Sequence, residues 1–110
     1  MSKAIAYIRT STDKQDLNNQ KLEILEFARK KNLIIHDFIQ LSISSRKTTK
    51  DRRIDEMMDS LKDADTLIVT ELSRLGRSTA EVIGLINALI HKKVRIIIIR
   101  QNIDTNFFMY

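Results

Sequence analysis

Apolar residues along the chain fall into short unbroken runs separated by longer stretches with a helical repeat. Ala4, Ile5, Ala6, Tyr7 and Ile8 form an apolar run without alternation, as a strand covered on both faces of a parallel sheet requires, and predict the first, central strand. From about residue 16 to 31, Leu17, Leu22, Ile24, Leu25, Phe27 and Ala28 recur at roughly helical spacing among polar residues and predict an amphipathic helix. Leu33, Ile34 and Ile35, continuing through Phe38 and Ile39, predict a second strand. The hydroxyl- and cation-rich stretch 42–50 has almost no apolar content and predicts a mobile surface loop. Ile54, Met57, Met58 and Leu61 stand at i, i+3, i+4 and i+7 and predict one buried helix face. Leu67, Ile68 and Val69 predict a third strand. Ser78 and Glu81 have the spacing of a capping box, opening a helix carried by Val82, Ile83, Ile86, Leu89 and Ile90, and residues 94–99 predict a fourth strand.

Strands alternating with helices make an α/β fold: a mainly parallel sheet of four to five strands with helices on both faces. At 110 residues, 43% hydrophobic and 30% charged, the chain fits one globular domain. Nineteen Lys and Arg against fourteen Asp and Glu give a formal charge of +5. That field attracts polyanions, nucleic acid first among them, although an ordinary basic surface has the same total. The absence of cysteine excludes disulfides, thiolate metal sites and cysteine nucleophiles, and His36 and His91 lack metal-ligand spacing. The longest uninterrupted run of branched apolar residues, 96–99, is far short of a membrane span or signal-peptide core, so a cytoplasmic protein is the expectation.

In open parallel sheets ligands bind beyond the carboxyl ends of the strands. Three such positions here combine hydroxyls with arginine: residues 9–13 (Arg, Thr, Ser, Thr, Asp), Ser44-Ser45-Arg46, and residues 73–77 (Ser, Arg, Leu, Gly, Arg). Guanidinium forks gathered on one crevice suit a phosphate. The opposing reading leaves the arginines on separate solvated faces, with Arg9 paired to Asp13 and Arg74 to Glu71. Ser11 is a candidate nucleophile without a histidine base, so its activation would be electrostatic. A helix cap or turn is the commoner role of a serine after a strand.

Tyr7-Ile8-Arg9-Thr10-Ser11-Thr12 resembles the opening motif of the serine site-specific recombinases of the resolvase/invertase group. Gln20 falls where that family has a glutamine on its first helix. Residues 72–78 (Leu, Ser, Arg, Leu, Gly, Arg, Ser) resemble its second signature. The resemblance covers residues 3–103 and implies a resolvase-like catalytic domain spanning residues 1–103. Residues 104–110 then begin a connector toward a dimerisation helix and a DNA-binding domain. It further implies cleavage of double-stranded DNA through a 5′-phosphoserine, strand exchange within a synaptic homotetramer built from homodimers, and religation. Neither ATP nor a metal cofactor is needed, because the covalent link preserves the phosphoester bond energy. On this resemblance Ser11 is the nucleophile, Arg9, Arg74 and Arg77 contact the scissile phosphate, and Tyr7, Gln20, Ser44, Arg46 and Arg52 bind or support it.

The middle of the chain departs from the family pattern. Gln40 stands near a usual aspartate, Ser44-Ser45 lacks the usual glycine, and Arg46, Arg52 and Arg53 all compete for one arginine role, with Arg52 favoured. Ser73 replaces an aspartate common in relatives. A catalytically silent recombinase-like DNA-binding or regulatory module is therefore the second reading. A signalling module on a flavodoxin-like sheet is the third, opposed by Ser and Arg where a metal-binding receiver would place carboxylates.

Overall fold

A computed structural model of the chain describes residues 3–10, 14–42, 47–76 and 78–105, the side chains of 42 and 47–53 excepted. Its elements are β1 (Ala4–Thr10), α1 (Lys14–Lys30), β2 (Ile35–Ser42), α2 (Lys47–Ser60), β3 (Thr66–Val69), a 3-10 turn (Leu72–Arg74), α3 (Thr79–His91), β4 (Arg95–Ile98) and β5 (Ile103–Asp104). The sheet order is β2-β1-β3-β4-β5. The first four strands are parallel and β5 is antiparallel to β4.

Every residue of β1 is buried, which explains its unbroken apolar run. Ile5 and Tyr7 join Met57 and Leu61 of α2 and Leu89 of α3 in one cluster, while Ala6 and Ile8 pack on Ile24 of α1 in the other. One helix therefore covers one face and two cover the other. Because β1 leads into α1 on one face and β3 into α3 on the opposite face, the chain parts between two adjacent strands. That is the switch point of an open α/β sheet, where a crevice must form at the carboxyl edge.

Several boundaries differ from the sequence expectation, each for a physical reason. β1 runs to Thr10, so Arg9 lies within the strand, and the longer strand pairs Thr10 with Ser42 of β2. Residues 42–50 are accordingly not one loop: Ser42 ends β2 and residues 47–50 open α2, a polar first turn that carries no apolar repeat to betray it. Leu33 and Ile34 precede β2. The Leu33 amide donates to the Ala28 carbonyl at 2.8 Å and that of Asn32 to Arg29 at 3.3 Å, closing α1 in a Schellman motif. Ile34 is 75% exposed. Ser78 does cap α3, its Oγ accepting from the Glu81 amide at 3.2 Å. Beyond Ile103, Asp104 pairs with Arg95 at 2.7 Å and Thr105 Oγ1 accepts from the Ile96 amide at 2.8 Å, so the sheet holds the chain through residue 105. No helix among the described residues is long and apolar enough to cross a membrane.

Candidate functional site

Arg9, near the end of β1, is only 9% exposed. Its Nη2 donates to the carbonyl oxygens of Ser73, in a short contact, and of Gly76, at 3.3 Å, both on the segment that follows β3. Two strands on either side of the switch point are thus joined by one guanidinium. Among the described residues Arg9 is held by carbonyl dipoles, so its charge is oriented without being neutralised by them.

The Arg9 carbonyl is a second junction. It accepts from Arg74 Nη1 at 3.0 Å and from Gln20 Nε2 at 3.2 Å. Gln20 also donates to Asp16 Oδ2 at 3.1 Å. With both its neighbours acceptors, the amide must turn its nitrogen toward them, which leaves Oε1 buried and without a partner. Arg74 Nη2 lies 3.4 Å from Asp16 Oδ1. Arg74 Nε, 3.4 Å from Glu71 Oε1, is close enough for Coulombic attraction yet not aligned to donate. Arg9 Nε and Thr70 Oγ1, at the ends of β1 and β3, are also buried and have no hydrogen-bond partner among the described residues. Each unmet group of this kind costs about 1–3 kcal/mol, so a cluster of them marks a place where a ligand's polar atoms would be rewarded.

Gly76 permits the close packing of this turn. A Cβ there would stand 2.9 Å from the Cβ of Glu81 and 3.2 Å from the Val82 nitrogen, both fixed by the first turn of α3. Leu75, beside it, is buried in the core below. The turn is thereby pinned from beneath while Arg74 reaches across to the Arg9 carbonyl and Asp16.

A further pair of residues completes the rim. Arg100, just after β4, donates from Nη1 to Glu71 Oε2 at 2.9 Å and from Nη2 to Glu23 Oε1 at 3.1 Å. Hydrogen bonding to and pairing with Glu23, with a smaller contribution from Glu71, push the Arg100 pKa up against its partial burial. The Ser73 hydroxyl donates to Glu71 Oε1 at 2.8 Å. That bond, against burial and aided by Arg100 and Arg74, holds the Glu71 carboxyl below its usual range.

Of the residues singled out in the sequence, Arg9, Gln20 and Arg74 are brought together. Tyr7 is two positions below Arg9 in β1 and buried in the core. Ser11, Ser44, Arg46 and Arg77 lie outside the described residues, as does the side chain of Arg52, whose backbone is in α2. The Arg74–Glu71 pair of the opposing reading does form, but Arg74 is simultaneously tied to β1 and α1 and is not on a separate face. Asp16 and Arg100 were not foreseen. Arg100 had a legible signal, since it follows β4 as Ser73 and Arg74 follow β3; Asp16 had none beyond standing one helical turn before Gln20.

The chain matches the family described as Resolvase, N terminal domain, over residues 4–109. A resolvase of Clostridium perfringens is 32% identical over 85 residues, covering 77% of this chain and 42% of the relative. The transposon Tn917 resolvase of Enterococcus faecalis is 31% identical over 104 residues, 94% and 52% of the two chains. The transposon Tn552 DNA-invertase BinR of Staphylococcus aureus is 32% identical over 99 residues, 90% and 48%. The chain spans about half the length of the curated relatives it matches. Among solved structures, a resolvase family site-specific recombinase from Streptococcus pneumoniae superposes with a TM-score of 0.74 at 21% identity, over 99% of this chain and 81% of that one. The N-terminal catalytic domain of TP901-1 integrase gives 0.73 at 23%, over 96% and 82%. At these identities the likeness to solved structures concerns the fold.

Proposed function

The chain belongs to the resolvase family, through its N-terminal domain, and from that premise we propose that it is the catalytic domain of a serine site-specific DNA recombinase. The observation that carries this reading is the meeting of Arg9 and Arg74 at the switch point. One guanidinium is anchored to carbonyls and the other is bonded to the carbonyl of Arg9 itself, two residues before Ser11 in the chain.

The reaction assigns each group a task. Ser11 Oγ attacks the phosphorus of a DNA phosphodiester; a new bond forms between that oxygen and phosphorus, and the bond from phosphorus to the 3′-oxygen breaks. The serine proton is lost, the departing 3′-oxygen gains one, and the DNA is left with a 5′-phosphoserine link and a free 3′-hydroxyl. A 3′-hydroxyl from another strand reverses the step. Charge on the non-bridging oxygens grows on the way to the five-coordinate transition state, and Arg9, Arg74 and Arg77 are the donors that meet it. Gln20 holds the end of β1 and the start of α1 in register around Ser11. Tyr7, Ser44, Arg46 and Arg52 support the phosphate from the core and from the β2–α2 side. Binding of double-stranded DNA rests on phosphate contacts, which position the duplex without reading its sequence. In this reading the enzyme works in the cytoplasm as a homodimer and a synaptic homotetramer, with residues past 103 leading toward the segments that assemble it.

Trapping tests the proposal. Incubated with nicked duplex DNA, the protein is expected to form an adduct that survives denaturation and is lost in Ser11→Ala. No adduct from the wild type supports the catalytically silent reading, and an adduct that persists in Ser11→Ala assigns the attack to another group and overturns the role of Ser11. The engagement of Arg74 by Asp16 and Glu71 is the observation on that side.

A further inference from the structure

Five charged side chains form an open series of ion pairs along the carboxyl edge of the sheet. Asp16 and Glu23 both stand on α1; Arg74 bridges Asp16 to Glu71, and Arg100 bridges Glu71 to Glu23. Charge alternates along the series from Asp16 to Glu23, and Glu71 at its centre is the carboxylate with a cation on each side. The pairs are not equal. Arg100 is 52% exposed, and its pairs are screened by solvent and salt. Arg74 is 19% exposed, so the fields of Asp16 and Glu71 act on it with less attenuation.

Glu71 is the member through which the series acts on the turn. Its Oε1 takes the Ser73 hydroxyl and faces Arg74 Nε, while its Oε2 takes Arg100. It thereby touches the residue before Arg74, Arg74 itself, and the end of the neighbouring strand. Resting on the recombinase reading above, we infer that Glu71 is a positioning residue for Arg74, holding its guanidinium against the Arg9 carbonyl so that the fork reaches the scissile phosphate already oriented. The Glu71 carboxyl is held below its ordinary range by Ser73 and the two arginines. It is therefore an anion at neutral pH and a weakened base, which suits an electrostatic hold on Arg74.

The geometry also says what would replace it. Ser73 Oγ is only 2.8 Å from Glu71 Oε1, so a carboxylate placed at position 73 would put negative charge into the same patch. Two readouts test the inference: the solvent-exchange rate of the Arg74 Nη1 hydrogens, which donate to the Arg9 carbonyl, in labelled protein without DNA, and adduct formation on nicked duplex. Glu71→Ala and Glu71→Gln are each expected to speed exchange and lower the adduct rate by at least about tenfold, because a displaced reacting group loses orientation. The double variant Glu71→Ala with Ser73→Asp is expected to restore both, and thermal melts establish that each variant is folded. Glu23→Gln, which loosens only the exposed Arg100 pair, should leave both readouts within about twofold. Unchanged exchange in Glu71→Ala and Glu71→Gln overturns the inference, as does a loss that Ser73→Asp fails to restore. A wild type that forms no adduct overturns the recombinase reading instead, while exchange still decides the role of Glu71.

Discussion

The two edges of the sheet solve opposite problems. At the amino edge, Asp65 is 2% exposed and every described contact it makes is met: Oδ1 accepts from the Lys3 amide at 2.9 Å and Oδ2 from the Lys62 amide at 2.8 Å. Its own carbonyl takes the Arg95 amide at 2.8 Å, and the Thr66 amide donates to Lys3. The starts of β1, β3 and β4 are laced together by one residue. At the carboxyl edge, Arg9 Nε, Gln20 Oε1 and Thr70 Oγ1 are buried and unmet among the described residues, and Arg74 is drawn by two carboxylates at once. Filled hydrogen bonds mark the edge that holds the fold, and open ones mark the edge left for a ligand. A closed α/β core has room for both because its strands transmit the rigidity of one end to the other.

The comparison breaks first if substitutions at the carboxyl edge unfold the protein. Arg74→Ala is expected to lower adduct formation by about 10²–10³-fold, the range for losing one donor to a developing oxyanion. Stability should change by less than about 1 kcal/mol, since the Arg9 carbonyl keeps Gln20 and both carboxylates regain water. Urea unfolding beside the trapping assay separates the two, and destabilisation on the scale of a core substitution would make Arg74 structural.

At the amino edge the expectation reverses. Asp65→Ala leaves two backbone amides without an acceptor and should cost about 2–4 kcal/mol of stability. The sign with pH follows from the carboxyl. Burial pushes its pKa up, but the Lys62 and Lys3 amides and the charge of Lys3 outweigh that and hold it low. A folded-state pKa below the unfolded value of about 3.9 means the stabilisation is complete above that pH and is lost as pH falls through the folded value. The gap between wild type and Asp65→Asn should therefore close on acidification, as denaturant midpoints across about pH 2 to 6 would register.

How much of this was legible in the chain follows the same divide. The strands that carry the amino edge were readable because β1, β3 and β4 are apolar on both faces, and a run such as Leu67, Ile68 and Val69 has no other use. Leu33 was misread for the same reason: an apolar residue closing a helix looks like one opening a strand. β5 has two residues and no period to detect. At the carboxyl edge the arginines were visible as residue types at strand ends, but their partners were not. Asp16 reaches Arg74 across 58 positions, and the junction at the Arg9 carbonyl uses a backbone atom that every residue possesses.

The smallest effect concerns how the amino edge turns the chain. Asn32, Ala64 and Lys93 each enter the next strand from a left-handed conformation, with φ of 56°, 73° and 62°, and none is glycine. Lys93 follows α3 in a Schellman closure, its amide donating to Ile90 at 2.9 Å and that of Val94 to Leu89 at 3.0 Å. Left-handed backbone costs an L-residue about 1–2 kcal/mol, of which glycine's greater freedom when unfolded returns roughly half. Lys93→Gly should thus stabilise by about 0.5–1 kcal/mol, raising the melting temperature by a few degrees. Asn32→Gly should gain less, because asparagine already tolerates this region. A loss in Lys93→Gly would mean that its side chain or helix-end charge contributes more than the turn costs, and the amino edge would then be tuned in its backbone as closely as it is in its hydrogen bonds.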